Sequence, residues 1–474
     1  MTGRESWGRL RVLSIVTAVV LSTFLTALDN TVVNLALPQM STELGMTDTD
    51  VKWVATSYPL ALASFLLFAG RLTDGKGRRW SLLTGVAVFT VSSACCALST
   101  TGVVLACLRG VQGSGAAFIL PASLALMSHD LPSRVRTAGF GATTAAMASA
   151  LAFGPVISGV VTQHLGWEWL FVMNVPLGAA SFVVGALALP RGPRPQHATH
   201  DAAEGLHRHI ALACLSIASL VYCLIQAPST GLGEPSVIVS GITAVSGAIV
   251  LVCKKRSKCG SSPAVGRLLR ARPFAGGLIT QLLWGLGVTG VYFYTSQFLQ
   301  SALHLSPTEA GLTFTPVVSA LFLTAPFVSV MAKRWGDGQV AATGLMSVAV
   351  GLLLIALGSL QGKLLGLMPG LAAVGAGSAL ALPLTTRALE SSPVHLSGFA
   401  AGLFSATREL SGVLGIVLVG AVVTVRDYAS VAQGATQGQA FLAGYQLGLC
   451  VAAALVATGA PVAVWALRPI KCTP

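Results

Sequence analysis

Two charged side chains stand inside stretches that otherwise read as lipid-facing. LSTFLTALDNTVVNLALPQM, residues 21–40, is apolar apart from a set of polar residues that includes Asp29, Asn30 and Asn34. TGVVLACLRGVQGSGAAF, residues 101–118, carries Arg109 and Gln112. A charge at bilayer depth costs about 2.5–3.5 kcal/mol on insertion scales, so it is kept where it meets a partner, protein or water. Turning at 100° per residue, Ser22, Thr23, Thr26, Asp29, Asn30 and Asn34 fall within an arc of roughly 140°. Asp29 lies nine residues before Pro38, roughly 13 Å below the outer end of its helix, and Arg109 lies seven past Gly102, roughly 10 Å below the same surface. The two are therefore expected at similar depth, with Gln112 one turn further on the arginine's face. Gly110, Gly113 and Gly115 are expected to let neighbouring backbones close in. An Asp–Arg pair is neutral while intact, and protonating Asp29 frees the arginine, which couples proton binding to rearrangement. A permanent structural ion pair is the other reading.

ATRELSGVLG, residues 406–415, holds a second pair, Arg408 and Glu409, roughly 16 Å from the cytoplasmic end of its span. Adjacent residues on a helix point ~100° apart, so these two are expected not to pair with each other. They serve either a second site, with Glu409 in proton coupling and Arg408 facing the substrate, or the packing of helices. QLLWGLGVTGVYFYTSQFLQ offers Gln281, Trp284, Tyr292, Tyr294 and Gln297. Aromatics with scattered amides suit a pocket for an amphipathic organic molecule, and a packed interface or aromatic belt is the alternative. In ALAFGPVISGVV, Gly154, Pro155 and Gly159 make a mid-helix bend or hinge. No Walker A sequence, zinc spacing or nucleophile–base set occurs. The nine cysteines include no CxxC. His197, His200, His207 and His209 read most simply as part of a solvated linker, with metal binding the alternative.

The elements that must position these residues are membrane helices. Of 474 residues 54% are hydrophobic and only 9% charged, with a mean hydropathy of +0.76; soluble domains carry about 25% charged residues. Runs of about 20 apolar residues are needed to span. Fourteen occur, near 11–37, 51–70, 79–98, 102–126, 137–162, 168–189, 210–227, 236–253, 273–300, 309–331, 340–358, 364–386, 398–424 and 441–466. The first, behind the basic MTGRESWGRLR, is long enough to read as an uncleaved spanning helix rather than a signal peptide. With the N-terminus in the cytoplasm, the even-numbered loops and both termini collect nearly all Lys and Arg, leaving Lys52, Lys363 and Arg426 outside. The net charge of +13 is thus a topology signal, not a nucleic-acid footprint. Polar segments RGPRPQHATHDAAEGLHRH and CKKRSKCGSSPAVGRLLRARP bracket a helix pair. The expected architecture is an all-α integral membrane protein of 14 transmembrane helices: a six-helix bundle over 1–195, a two-helix insertion over 196–272 and a second six-helix bundle over 273–474. The halves are barely similar; GRLTDGKGRR after span two has only a weak echo in AKRWGDGQ after span ten.

Five motifs in order resemble the fourteen-helix drug:proton antiporters of the major facilitator superfamily. LDNTVVNLALP resembles the span-one signature, with Asp29 at its acidic position. GRLTDGKGRR is similar to the loop motif GxLaDrxGrk through Gly70, Leu72, Asp74, Gly77, Arg78 and Arg79, departing at Thr73 and Gly75. LRGVQGSGAA resembles the span-four motif through Arg109 and Gln112, and AFGPVISG the span-five antiporter motif through Gly154, Pro155 and Gly159, with Ala150 and Ser158 in place of glycines. GWEWLFVMNVPLG, residues 166–178, is similar to the start of span six in that family. The resemblance covers the whole chain. It implies alternating-access export of a hydrophobic or amphipathic drug or antibiotic, driven by the proton gradient without a cofactor. Asp29, Arg109 and Glu409 are expected in proton coupling, and Gly70, Asp74, Gly77, Arg78 and Arg79 in conformational control. Asn30, Asn34, Gln112, Gln281, Trp284, Tyr294, Gln297 and Arg408 are expected to line the substrate cavity. The implied setting is a bacterial inner (plasma) membrane, multi-pass with both termini cytoplasmic, with protons, lipid and a small-molecule substrate as partners, no nucleic acid, and a monomer by default. Three other readings stay open. One is an uptake symporter on the same fold, another a non-transporting sensor, and the third a membrane enzyme, for which the scattered histidines supply no catalytic cluster.

Overall fold

The computed structural model describes residues 8–189, 212, 215–216, 218–227, 230–231, 233–256, 268, 270–360, 362–392, 397–432 and 436–467. Among these residues there is helix and no strand. The chain forms two compact units, Met1–Ile210 and Ala211–Pro474. The linkers 190–211 and 257–267, with the histidine cluster and much of the basic charge, lie outside the described residues, as does the side chain of Asp74.

The first unit contains α1 (Arg9–Glu43), α2 (Asp48–Lys76), α3 (Arg78–Ala97), α4 (Gly102–His129), α5 (Ser133–His164), α6 (Glu168–Val172) and α7 (Asn174–Ala188). Local chemistry sets several boundaries. Thr47 and Asp50 form a reciprocal capping box that starts α2. Gly77 alone joins α2 to α3, at φ 98° and ψ 148°, a conformation open essentially to glycine. Predicted span six is divided at Met173 into α6 and α7, with Pro176 unable to donate a backbone bond to the turn before it. α5 bends by 46° between Ala138–Leu151 and Phe153–His164. The bend falls where Pro155 meets the carbonyl four residues back, which it cannot bond and which its ring crowds.

α1 is the hub: it packs against α2, α4, α5 and α7, while α4 packs on both α2 and α3. Lipid is as apolar as leucine, so packing here rests on close backbone approach and polar contacts rather than on escape from water. A Cβ at Gly85 of α3 would lie 2.8 Å from the Gly115 carbonyl of α4, and one at Gly154 of α5 would lie 2.6 Å from Thr31 Oγ1 of α1. Of the three glycines expected to admit a neighbour around Arg109, Gly113 and Gly115 do so, against Tyr58 and Phe89. Gly110 instead faces open space. The outward side chains suit hydrocarbon: Leu98, Leu187 and Leu365 are all exposed.

The second unit contains α8 (Ala218–Ala227), α9 (Pro235–Arg256), α10 (Arg272–Gln297) followed by a π-helical turn (Phe298–Ala302), α11 (Pro307–Thr313), α12 (Thr315–Trp335), α13 (Asp337–Ser359), α14 (Leu364–Leu380), α15 (Leu382–Glu390), α16 (Ser397–Ala432) and α17 (Gln437–Ala466). Leu268, Phe274, Ala388, Ala400 and Phe404 form one of its apolar clusters. Every predicted range overlaps a helix. Among the described residues ten helices are long and apolar enough to cross a membrane, or eleven if bent α5 is one span.

Candidate functional site

Asp29 and Arg109 meet inside the first unit. Arg109 Nη1 donates to Asp29 Oδ2 and, at 2.7 Å, to Gln112 Oε1. The other carboxylate oxygen, Oδ1, accepts from Gln112 Nε2 at 2.9 Å and from Asn174 Nδ2 at 2.8 Å. The cluster is sealed: Asp29 and Gln112 are 0% exposed, Arg109 and Asn174 1%. Three donors on one carboxylate, one of them cationic, are what a buried negative charge requires. The guanidinium in turn lies 4.4 Å from the Tyr58 ring centre and 5.9 Å from that of Phe171, and such aromatic faces offset part of a cation's lost hydration. The Tyr58 hydroxyl donates to the Thr26 carbonyl of α1. Arg109 Nε is buried without a hydrogen-bond partner.

The rest of the polar arc on α1 behaves differently. Ser22, Thr23 and Thr26 are buried and donate to carbonyls three or four residues back on their own helix. They are satisfied locally and need neither water nor partner. Asn30 and Asn34 are half-buried. In the site Asp29 therefore stands apart from the hydroxyls that share its arc.

The hinge and loop residues are found at helix contacts and caps. Gly154 is buried against Thr31, and next to Pro155 and Gly159 the Ser158 hydroxyl donates to the Val32 carbonyl, tying α5 to α1. Arg78 pairs with Asp130 at the end of α4, at 2.7 Å. Arg79 donates to the Ala186 and Leu189 carbonyls and Arg11 to Ala188. These are the last carbonyls of α7, the negative end of its dipole, which cations stabilise. Gly70 approaches Pro121.

In the second unit one expectation is corrected. Arg408 and Glu409 do pair: Arg408 Nε and Nη2 donate to Glu409 Oε1 at 3.1 and 2.8 Å. The ~100° between adjacent positions separates their Cβ atoms, but an arginine side chain is long enough to curl along the helix surface and close the gap. Glu409 is buried and Arg408 remains 43% exposed at its side chain. Trp284 Nε1 donates to Ser378 Oγ at 3.3 Å. Tyr294 is buried, its hydroxyl donating to the Ile416 carbonyl, and so packs α10 on α16. Tyr292 stacks on Phe314 at 5.2 Å. Gln281 and Gln297 are half-buried.

The structure adds Asn174, Ser93, Tyr58 and Phe171 to the Asp29 cluster. Asn174 Nδ2 also donates to Ser93 Oγ at 3.1 Å, and Ser93 Oγ to the Phe171 carbonyl at 3.0 Å. A lone asparagine in an apolar run was the signal for Asn174, inside GWEWLFVMNVPLG. A partner 145 residues away is not legible from spacing.

A bundle of membrane helices with a fully buried, hydrogen-bonded ion pair within one unit has the build of a polytopic membrane transporter. The profile of the Major Facilitator Superfamily matches residues 19–416, and the chain belongs to that family. It is 31% identical over 405 residues to Multidrug resistance protein Stp of Mycobacterium tuberculosis (strain ATCC 25618 / H37Rv), covering 85% of this chain and 74% of the relative. It is 29% identical over 419 residues to the tetracenomycin C resistance and export protein of Streptomyces glaucescens, covering 86% and 75%. Among solved structures, an auto-inhibited POT family peptide transporter superposes with a TM-score of 0.69 over 98% of both chains, at 17% identity; that likeness speaks to fold alone. The chain is thus a multi-pass membrane transporter of small molecules, not an enzyme, and it works without a cofactor.

Proposed function

We propose that this chain exports hydrophobic or amphipathic compounds, drugs or antibiotics, in exchange for protons by alternating access. The observation that carries the proton half of this reading is the sealed Asp29–Arg109 pair. It is neutral as it stands, with both carboxylate oxygens hydrogen-bonded, so adding one proton to Asp29 leaves Arg109 without its counter-charge and forces a rearrangement. The names of the relatives, a multidrug resistance protein and an antibiotic resistance and export protein, support the cargo class and the direction. Glu409 with Arg408 is a second protonatable pair in this reading. Gly154, Pro155 and Gly159 act as hinge, while Gly70, Asp74, Gly77, Arg78 and Arg79 steady one conformation. Asn30, Asn34, Gln281, Trp284, Gln297 and Arg408 contribute to substrate binding, and Gln112 and Tyr294, both buried in this conformation, join them when the helices rearrange. The chain acts as a monomer with fourteen crossings, halves at 1–195 and 273–474 around an insertion at 196–272, and both termini in the cytoplasm of a bacterial plasma membrane. The distribution of Lys and Arg supports this orientation.

The test is the direction of transport. Everted vesicles containing the chain are given an acid interior and a fluorescent amphipathic dye outside. Dye accumulation that collapses with a protonophore is expected. Proton-driven loss of preloaded dye to the outside would instead make the chain an uptake symporter.

A further inference from the structure

The two amides on Asp29 are not equivalent. Gln112 gives Nε2 to Asp29 Oδ1, but its Oε1 is held by Arg109 Nη1, so the cation fixes which end of that amide faces the carboxylate. Asn174 gives Nδ2 to the same Oδ1 and to Ser93 Oγ, while its own Oδ1 is buried with no hydrogen-bond partner. That oxygen makes no bond that an inversion of the amide would break.

We propose that Asn174 is a positioning residue that reads the charge on Asp29 by inverting its amide. This rests on the reading of Asp29 as a proton carrier. While Asp29 is ionised, Asn174 donates to it. Oδ2 faces Arg109, so an arriving proton is received on Oδ1, where O–H and N–H donors then oppose each other. A half-turn about the last side-chain bond of Asn174 puts its Oδ1 in place of Nδ2, 2.8 Å from the new O–H donor and 3.1 Å from Ser93. Ser93 then donates to Asn174 and releases the Phe171 carbonyl, which it holds at 3.0 Å. That carbonyl lies in α6, two residues before the break at Met173. The proton state of α1 thereby reaches the break in span six, and the proton itself stays on Asp29.

The other ionisable groups around Asp29 are few. Arg109 of α4 pairs with it, the Cys96 thiol of α3 interacts electrostatically with both, and the Tyr58 phenol of α2 bonds Thr26. The sequence of α7 contains no ionisable residue; α5 carries Arg134, Arg136 and His164 near its ends, and α6 carries Glu168 at its start.

Infrared difference spectroscopy on the purified full-length chain tests this through the Asp29 carboxyl band, assigned by subtracting the same preparation carrying Asp29→Asn. Asn174→Leu removes a donor to the ionised form and an acceptor to the protonated form. The bond to the charge is the stronger, so the midpoint moves to higher pH, by about one unit. Gln112→Leu removes a donor with no such compensation and moves it further. Asn174→Asp keeps the side chain's shape and raises the midpoint as well, because adjacent carboxylates resist ionising together; it decides the matter if the leucine variant does not fold. An unmoved midpoint in the asparagine variants overturns the proposal, and so does a shift in Asn174→Leu as large as that in Gln112→Leu. The titration requires no transport. A chain that titrates as described but moves no dye with protons defeats the exporter reading alone.

Discussion

Asp29 and Arg109 are each too costly to bury alone, and each makes the other tolerable. Desolvating an ion costs several kcal/mol even after relaxation, and removing one partner of a buried pair costs about 3–5 kcal/mol because the other charge is stranded. Arg109→Met is therefore expected to lower the folded yield and thermal midpoint in detergent. Asp29→Asn added to the same chain is expected to recover most of that loss; size-exclusion melting curves provide the check, and no recovery would mean that the arginine stabilises something other than this carboxylate. The pair was legible in the sequence because the cost of charge in lipid marks such residues, and helix rise alone puts them at one level. Asn174 was not, since its partner on α1 lies 145 residues away and no spacing rule joins the two. The reach of arginine defeated the angular rule at Arg408 and Glu409. An angle between Cβ directions describes short side chains such as Asp and Ser, but not the long stem of an arginine.

At the scale of elements, helix existence was plain and helix shape was not. Each long apolar run bounded by polar turns overlaps a helix among the described residues, because in lipid every backbone group must be satisfied within its segment. The break at Met173, the π-turn after Gln297 and the 46° bend of α5 depend on where one proline or one extra residue disturbs the ladder. Only the bend was anticipated, from Pro155. Its neighbour Gly154 makes a specific demand: α5 leans on Thr31 so closely that any side chain there collides. Gly154→Val is expected to push α5 from α1 and abolish drug resistance in a sensitive host while the chain still reaches the membrane. Gly154→Ala with Thr31→Ala, which removes the opposing hydroxyl and methyl, is expected to recover part of the resistance. Full activity in Gly154→Val would show that this contact is not needed for transport.

At the scale of the whole molecule, each unit keeps its own copy of one plan. Thr47 caps α2 thirty residues before Gly77, and Ser306 caps α11 thirty residues before Gly336. Gly336, at φ 84° and ψ 147°, repeats the backbone turn of Gly77. The residue after each glycine then pairs with the end of a later helix: Arg78 with Asp130, and, with charges exchanged, Asp337 with Arg387 at 2.7 Å. The faint sequence echo between GRLTDGKGRR and AKRWGDGQ hid this likeness, because the backbone constrains only the glycine and the pair constrains only opposite sign. In the proposed exporter each unit carries an intramembrane acid, Asp29 in the first and Glu409 in the second, and Asp29 couples the cycle to protons. That claim is tested most directly in proteoliposomes holding purified chain and a trapped pH dye, with an amphipathic substrate added to one side. The wild-type chain is predicted to change the lumenal pH when substrate moves, and Asp29→Asn, folded and inserted equally well, to show no such change. Substrate-driven proton movement of normal size in Asp29→Asn would contradict the account.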